Sequence, residues 1–228
     1  MYKIYNHSSE SMKEIKDASI DLIIAGPPYN IGTVYGSNQD SMSIQQYIAM
    51  MNRIISECYR VITKKGTLVV ESADTVLING KYVQLAGLIS SICIQNGFHL
   101  IERNFNFAAS KDGVELLEHD WGKNYTTSKN SHSNCHQWMT FSKTKGKYQS
   151  GRIYYINYVS TREHPCPFPL ATCRTFLKKY FHKGNSVLDP FMGTGVLGVE
   201  VLKRKGDFYG YELSPEIFSV AEANLRSR

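Results

Sequence analysis

Apolar positions change their spacing several times along this chain, and each change marks a predicted element. Ile20-Asp21-Leu22-Ile23-Ile24-Ala25 is a near-continuous apolar run, the pattern of a strand covered on both faces. Apolar residues then recur at helical spacing through Ile44, Tyr47, Ile48, Met51, Ile54, Ile55 and Cys58, which predicts a helix over Ile44 to Val61. Lys64-Lys65-Gly66 reads as its stop and Thr67 to Val70 as the next strand. Val83 to Gln95 is again helical, and Phe98 to Phe107 is extended. Before these, Lys3 to Tyr5 reads as a short strand and Met12 to Lys16 as a short helix, while Gly32 to Ser43 is a polar loop. Towards the end come a strand at His136 to Lys143, a helix at Leu170 to Tyr180 and a strand at Ser186 to Leu188. A helix at Val196 to Lys205, a strand at Phe208 to Glu212 and a helix at Pro215 to Leu225 follow. Alternating strands and helices predict an α/β fold: a doubly wound, mostly parallel sheet with helices on both faces.

Residues Ala108 to Asn134 break the alternation. They are polar and carry Lys111, Trp121, Lys123, Tyr125 and Lys129. A long irregular insertion in a compact domain is usually functional or disordered. Lys143 to Arg152 is a basic, glycine-containing turn. The 228 residues suffice for one sizeable α/β domain, and the net charge of +6 favours an anionic partner such as nucleic acid. Lys123, Lys129, Lys143, Lys145, Lys147 and Arg152 are the candidate phosphate contacts; taken singly, each lysine also suits a solvated surface. Five scattered cysteines (Cys58, Cys93, Cys135, Cys166 and Cys173) show no Cys-x-x-Cys pairing, which argues against a disulfide framework and a structural zinc. The N-terminus lacks the apolar run of a signal peptide, and no stretch approaches the roughly 20 apolar residues of a membrane span. A soluble cytoplasmic protein is expected.

Two short motifs concentrate the chemistry. Gly26-Pro27-Pro28-Tyr29-Asn30 follows the first apolar strand, and Asp189-Pro190-Phe191-Met192-Gly193-Thr194-Gly195 follows the strand near the end. In open α/β sheets, ligands sit beyond the carboxyl ends of the strands. Gly193 and Gly195 lack the Cβ that would keep a ligand from the backbone. Glu212 ends the next strand about twenty residues on, where a carboxylate can accept both hydroxyl protons of a ribose. A plain strand-turn-helix with a surface glutamate is the bland alternative. One motif suits a nucleotide-like cofactor and the other a flat ring held against Tyr29.

The string Val187 to Gly195 resembles the cofactor motif of the S-adenosylmethionine-dependent DNA amino-methyltransferases, which modify adenine N6 or cytosine N4. Gly26-Pro27-Pro28-Tyr29 resembles their catalytic tetrapeptide, whose first residue is usually Asp, Asn or Ser. His164-Pro165-x-Pro167-x-Pro169 resembles the segment preceding the cofactor motif, and equally suits a rigid extended connection. Cys58-Tyr59-Arg60-Val61 with Lys65-Gly66-Thr67-Leu68, and His136-Gln137 before Trp138 to Lys143, resemble further segments of that family. Its usual Gly-Asp near the start is replaced by Asn6-His7. The catalytic motif coming first is the permuted β-class order. The resemblance implies a Rossmann-like methyltransferase sheet with S-adenosylmethionine as cofactor. It implies that Asp189 lies near the methionine amino group, that Phe191 lines the adenosine side and that Glu212 binds the ribose. It divides the domain into a catalytic half over 1–107, a candidate target-recognition insertion over 108–152 that includes a late strand, and a cofactor half over 153–228.

The chemistry explains the tetrapeptide. An exocyclic amine has its lone pair delocalised into the ring, so acceptors aimed at its N–H bonds favour a tetrahedral nitrogen that can attack a methyl group. The first side chain and the first proline's carbonyl would supply those acceptors, and Tyr29 would stack on a base extruded from double-stranded DNA. Gly26 offers no side chain. The sequence leaves open a natural variant in which water or a backbone carbonyl substitutes, a weak or inactive DNA-binding subunit, and an engineered change. Methyl transfer to adenine N6 is the leading expectation, with cytosine N4 second. The short insertion leaves room for a homodimer or a partner subunit. A Rossmann dehydrogenase is disfavoured, because Asp-Pro-Phe-Met-Gly-Thr-Gly does not match Gly-x-Gly-x-x-Gly.

Overall fold

The computed structural model describes residues 1–108, 135–149, 151–156 and 170–227, with the side chains of 107–108 and 154–156 outside that description. In chain order the strands begin with β1 (Tyr2–Tyr5) and β2 (Ile20–Ala25), followed by a small antiparallel hairpin, β3 (Val34–Tyr35) and β4 (Asn38–Gln39). Helix α1 (Ile44–Val61) runs directly into β5 (Ile62–Ala73), a second hairpin of β6 (Val76–Ile78) and β7 (Lys81–Val83), and helix α2 (Leu85–Gln95). Then come β8 (His99–Ala108), β9 (Cys135–Ser142), β10 (Ile153–Ile156) and α3 (Leu170–Tyr180). The chain continues with β11 (Ser186–Asp189), α4 (Val196–Lys203), β12 (Asp207–Tyr211) and α5 (Pro215–Arg226).

One sheet collects eight of these strands in the order β1-β12-β11-β2-β5-β9-β8-β10. Seven run parallel and β9 alone runs against them. Alternation along the central strands explains the double winding. Ile23 and Ala25 of β2, with Leu68 and Val70 of β5, face a core built with Tyr47, Met51 and Ile54 of α1 and Ile89 of α2. Leu22, Ile24 and Val69 face the other core, with Phe176 of α3, Leu197 and Val201 of α4 and Leu225 of α5. Strands buried on both faces cannot alternate polar and apolar residues, hence the unbroken run at Ile20 to Ala25.

Local signals fix the helix starts nearest the site. Ser43 and Gln46 form a reciprocal capping box at α1. Ser214 caps α5 by accepting the Ile217 N–H, and Pro215 occupies the first turn.

Three expectations are corrected. Met12 to Lys16 is not a helix: Arg60 donates to the carbonyls of Met12 and Ile15, fixing them in an irregular turn. Lys64-Lys65-Gly66 does not separate helix from strand, since β5 starts at Ile62. Val83 belongs to β7, and α2 begins at Leu85. Among the described residues no helix is long and apolar enough to cross a membrane, and no cluster of three or more His, Cys, Asp or Glu side chains could hold a metal ion. Cys58, Cys93, Cys135 and Cys173 are free thiols.

Candidate active site

β11 and β2 are neighbours, paired Val187↔Leu22 and Leu188↔Ile23, so the two motifs leave the carboxyl edge of the sheet side by side. Adjacent strands lie only about 4.8 Å apart. Residues separated by more than 160 positions thus meet at one edge.

On the β11 side the backbone turns sharply. Gly193 (φ 54°) and Gly195 (φ 76°) occupy the left-handed region. At Gly195 an added Cβ would come within 3.3 Å of Ala221 on α5. Asp189 is buried, and its Oδ1 accepts the Phe191 N–H at 3.0 Å. Glu212, just past β12, accepts the Gly193 N–H at 3.0 Å on Oε2 and the Ser214 N–H at 2.8 Å on Oε1. Those two bonds tie the glycine turn to the end of the next strand. Burial pushes the Asp189 carboxyl up to about 7; the Phe191 N–H opposes that rise and the Glu212 charge adds to it. Burial likewise raises Glu212, against the N–H groups of Ser214, Gly193 and Leu213. Neither carboxylate has a lysine or arginine partner among the described residues. Two desolvated anions beside a turn open to close backbone approach fit a ligand carrying positive charge and hydroxyl groups.

On the β2 side, Gly26 is half-buried. The Tyr47 hydroxyl donates to the Pro28 carbonyl at 2.9 Å, anchoring the turn to α1. Asn30 sits at φ 59°, and its side chain brackets Met42, accepting its N–H at 2.7 Å and donating to its carbonyl at 2.8 Å. Asp40 accepts the Asn30 N–H at 3.0 Å; burial raises its carboxyl to about 6 against the N–H groups of Thr33, Asn30, Ile31 and Gly32. The Tyr29 hydroxyl donates to Glu71 Oε2 at 3.0 Å and lies 3.0 Å from His136 Nδ1. His136 Nδ1 is 2.6 Å from Glu71 Oε1.

The β3–β4 hairpin between these halves touches the cofactor side. Ser37 Oγ donates to Glu216 Oε2 at 3.3 Å. A Cβ on Gly36 (φ 58°) would lie 2.7 Å from that same oxygen.

The structure therefore brings together Gly26, Pro27, Pro28 and Tyr29 with Asp189, Phe191, Gly193, Gly195 and Glu212. His164, Lys123 and Lys129 lie outside the described residues. Lys143, Lys145 and Lys147 do not join the crevice. β9 runs against β5, pairing Ala73 with His136 and Thr67 with Ser142, so these lysines follow its end at the amino edge of the sheet. Lys143 Nζ sits 4.5 Å over the Tyr59 ring. Arg152 lies higher, its N–H donating to Asn104 Oδ1 at 2.8 Å. β8 ends and β9 begins on the carboxyl edge, where the Asp74 N–H donates to the Cys135 carbonyl. Sequence reasoning assigned no role to Glu71, Tyr47 or Asp40. A lone carboxylate ending the apolar run Leu68-Val69-Val70 was the one signal that marked Glu71.

This strand order and edge site define a Rossmann-like α/β fold of the kind that houses methyltransferases. The family model of N6 and N4 DNA methylases matches residues 20–223, and the chain belongs to that family. The type II methyltransferase M.HpaI of Haemophilus parainfluenzae is 24% identical over 98% of this chain and 74% of its own. The DNA adenine methyltransferase YhdJ of Escherichia coli K12 is 23% identical over 97% of this chain and 81% of its own. Among solved structures, the cytosine-N4-specific PvuII DNA methyltransferase superposes with a TM-score of 0.73 at 16% identity, over 98% of this chain and 86% of that one. The M1.HpyAVI–SAM complex gives 0.65 at 18%, over 99% of each chain.

Proposed function

We propose that this chain uses S-adenosylmethionine to methylate the exocyclic amine of a base flipped from double-stranded DNA, with adenine N6 the favoured target and cytosine N4 the second. The observation that carries the reading is the adjacency of the two motifs at one sheet edge, the buried Asp189 and half-buried Glu212 on one side and the Tyr29 ring on the other. The adenine-specific relative, matched over nearly the whole chain, favours N6.

The bound cofactor supplies an electrophilic methyl group on a sulfonium. Asp189 would hold its cationic methionine end, Glu212 would take the ribose hydroxyls, Phe191 would line the adenosine side, and the glycine turn would admit the ligand to the backbone. Tyr29 stacks on the flipped base, a contact worth roughly 1–3 kcal/mol. The Pro27 carbonyl accepts one amine proton. Transfer would form the nitrogen–methyl bond as the sulfonium's sulfur–methyl bond breaks, its electron pair leaving with the neutral thioether, and the cationic nitrogen would then release a proton to water. His164, Lys123, Lys129 and Arg152 complete the cofactor approach and the phosphate contacts; Lys143, Lys145 and Lys147 at the opposite edge are a separate cationic patch. The short recognition segment favours a second copy or subunit on the DNA.

Digestion of treated DNA to nucleosides followed by mass spectrometry tests this directly. N6-methyl-2′-deoxyadenosine is the expected product; N4-methyl-2′-deoxycytidine selects the second reading. Gly26 supports one further alternative, a DNA-binding subunit without transfer, and absence of tritium transfer from labelled cofactor to any DNA selects it.

A further inference from the structure

We propose that Glu71 and His136 are positioning residues that lock the base-stacking ring of Tyr29 through its hydroxyl; this deepens the proposed role of Tyr29 and rests on it. Glu71 and His136 are both 4% exposed. They come from neighbouring antiparallel strands, β5 and β9, whose pairing Ala73↔His136 and Glu71↔Trp138 places them on one face. β5 also pairs in parallel with β2 up to Ala25↔Val70, so Gly26 and Glu71 are the next residues at the same edge. The pair thus stands directly beneath the Gly-Pro-Pro-Tyr turn.

The distances admit one simple proton arrangement. An ionised Glu71 accepts twice, from the Tyr29 hydroxyl at 3.0 Å and from His136 Nδ1–H at 2.6 Å, and that same Nδ1–H lies 3.0 Å from the Tyr29 oxygen. Every member of the triangle is then satisfied, as a buried polar network must be. The rings meet edge to face at 5.7 Å, so His136 also blocks rotation of the tyrosine. Two consequences follow for the reaction. The ring plane is set before the base arrives, so stacking does not spend ordering entropy. A phenol donating into a carboxylate also presents a more electron-rich face to a base whose nitrogen turns cationic as it is methylated. Gly26 gives this chain one acceptor fewer at the amine, so the preset ring and the Pro27 carbonyl are what remain to orient it.

The test is a double-mutant cycle between Tyr29→Phe and Glu71→Gln, read by single-turnover transfer of tritiated methyl to unmethylated DNA and, independently, by proton NMR of protein labelled with 15N-histidine. Glu71→Gln is expected to slow transfer at saturating cofactor and DNA about tenfold or more, leaving cofactor affinity within twofold. In the Tyr29→Phe background the same change is expected to have little further effect, because the hydroxyl it acts through is gone. Wild type should show a downfield Nδ1–H resonance that shifts in Tyr29→Phe and disappears in Glu71→Gln. Equal slowing by Glu71→Gln in both backgrounds, or a resonance indifferent to Tyr29→Phe, overturns the proposal. A wild-type protein with the coupled resonance but no methyl transfer would sink the proposed function while leaving the lock standing.

Discussion

Gly26 sets the scale of what one residue decides here. Under the proposed function, a carboxylate at that position would add an amine acceptor beside the Pro27 carbonyl, and a bond to a charged group contributes about 1.5–3 kcal/mol. Gly26→Asp is therefore expected to change the single-turnover rate at least severalfold, about tenfold at the lower end of that range and about a hundredfold or more at the upper. An unchanged rate would show that residue 26 does not meet the amine. Asp189 offers a second test through its proton. Its folded pKa of about 7 lies above the unfolded carboxyl value of roughly 3.9, so folding favours the protonated form. This group consequently takes stability away as pH climbs from about 4 to about 7 and has no further effect above that. Binding a cation would pull the proton off. Cofactor affinity is expected to rise by up to about tenfold per pH unit below 7 and to level off above it, with proton release visible by calorimetry in buffers of different ionisation enthalpy. A flat profile would place Asp189 away from the cationic end. The tetrapeptide and the glycine turn were legible because their chemistry lies in contiguous residues. The partners of the Tyr29 hydroxyl were not, since Glu71 and His136 stand 42 and 107 positions away and only pairing in the sheet unites them.

At the scale of elements, legibility followed burial. Strands covered on both faces announce themselves, as Ile20 to Ala25 did. The start of β5 did not, because Lys64 and Lys65 are exposed and break the apolar run although the backbone stays extended. The four residues of β10, pairing along β8 at the border of the sheet, carry too short a pattern to read. The turn at Met12 to Lys16 had helical spacing, but Arg60 claims its carbonyls. Helices α3 and α4 show how a buried charge is accommodated. Burial alone would raise Glu200, yet hydrogen bonds from Arg174 and Arg204 hold it down to about 2. Packing is tight at Gly198 of α4, where a Cβ would meet the Phe208 ring at 2.6 Å and Leu225 at 2.8 Å. Alanine normally gains about 1 kcal/mol over glycine in a helix. Overpacking of this kind costs about 1–3 kcal/mol. Gly198→Ala is thus expected to lower the melting temperature, by about 2–4 °C for each net kcal/mol in a domain of this size. A rise in differential scanning calorimetry would mean that α4 can shift outward freely.

For the molecule as a whole, the basic residues divide between two edges of the sheet. The end of β8 and the start of β9 lie at the carboxyl edge and Arg152 beside the middle of β8, while Lys143, Lys145 and Lys147 lie at the amino edge. Replacing the three amino-edge lysines together by glutamine is expected to leave specific methylation nearly intact. Each phosphate contact that is lost flattens the log–log salt dependence of DNA binding by about 0.9. A slope unchanged in the triple variant would place the phosphate footprint entirely at the crevice.

The hairpin of β3 and β4 carries a last consequence. Its tip bonds Glu216, beside the serine whose N–H holds the Glu212 carboxylate, while its root bears the asparagine that follows Tyr29. One strap thus rests on both halves, and a molecule that displaces it from either side must be felt on the other, with equal coupling in the two directions. Gly36→Ala, which jams the strap against α5, should alter how strongly DNA and cofactor reinforce one another's binding; identical binding energies taken in either order and in both proteins would show the strap to be a bystander.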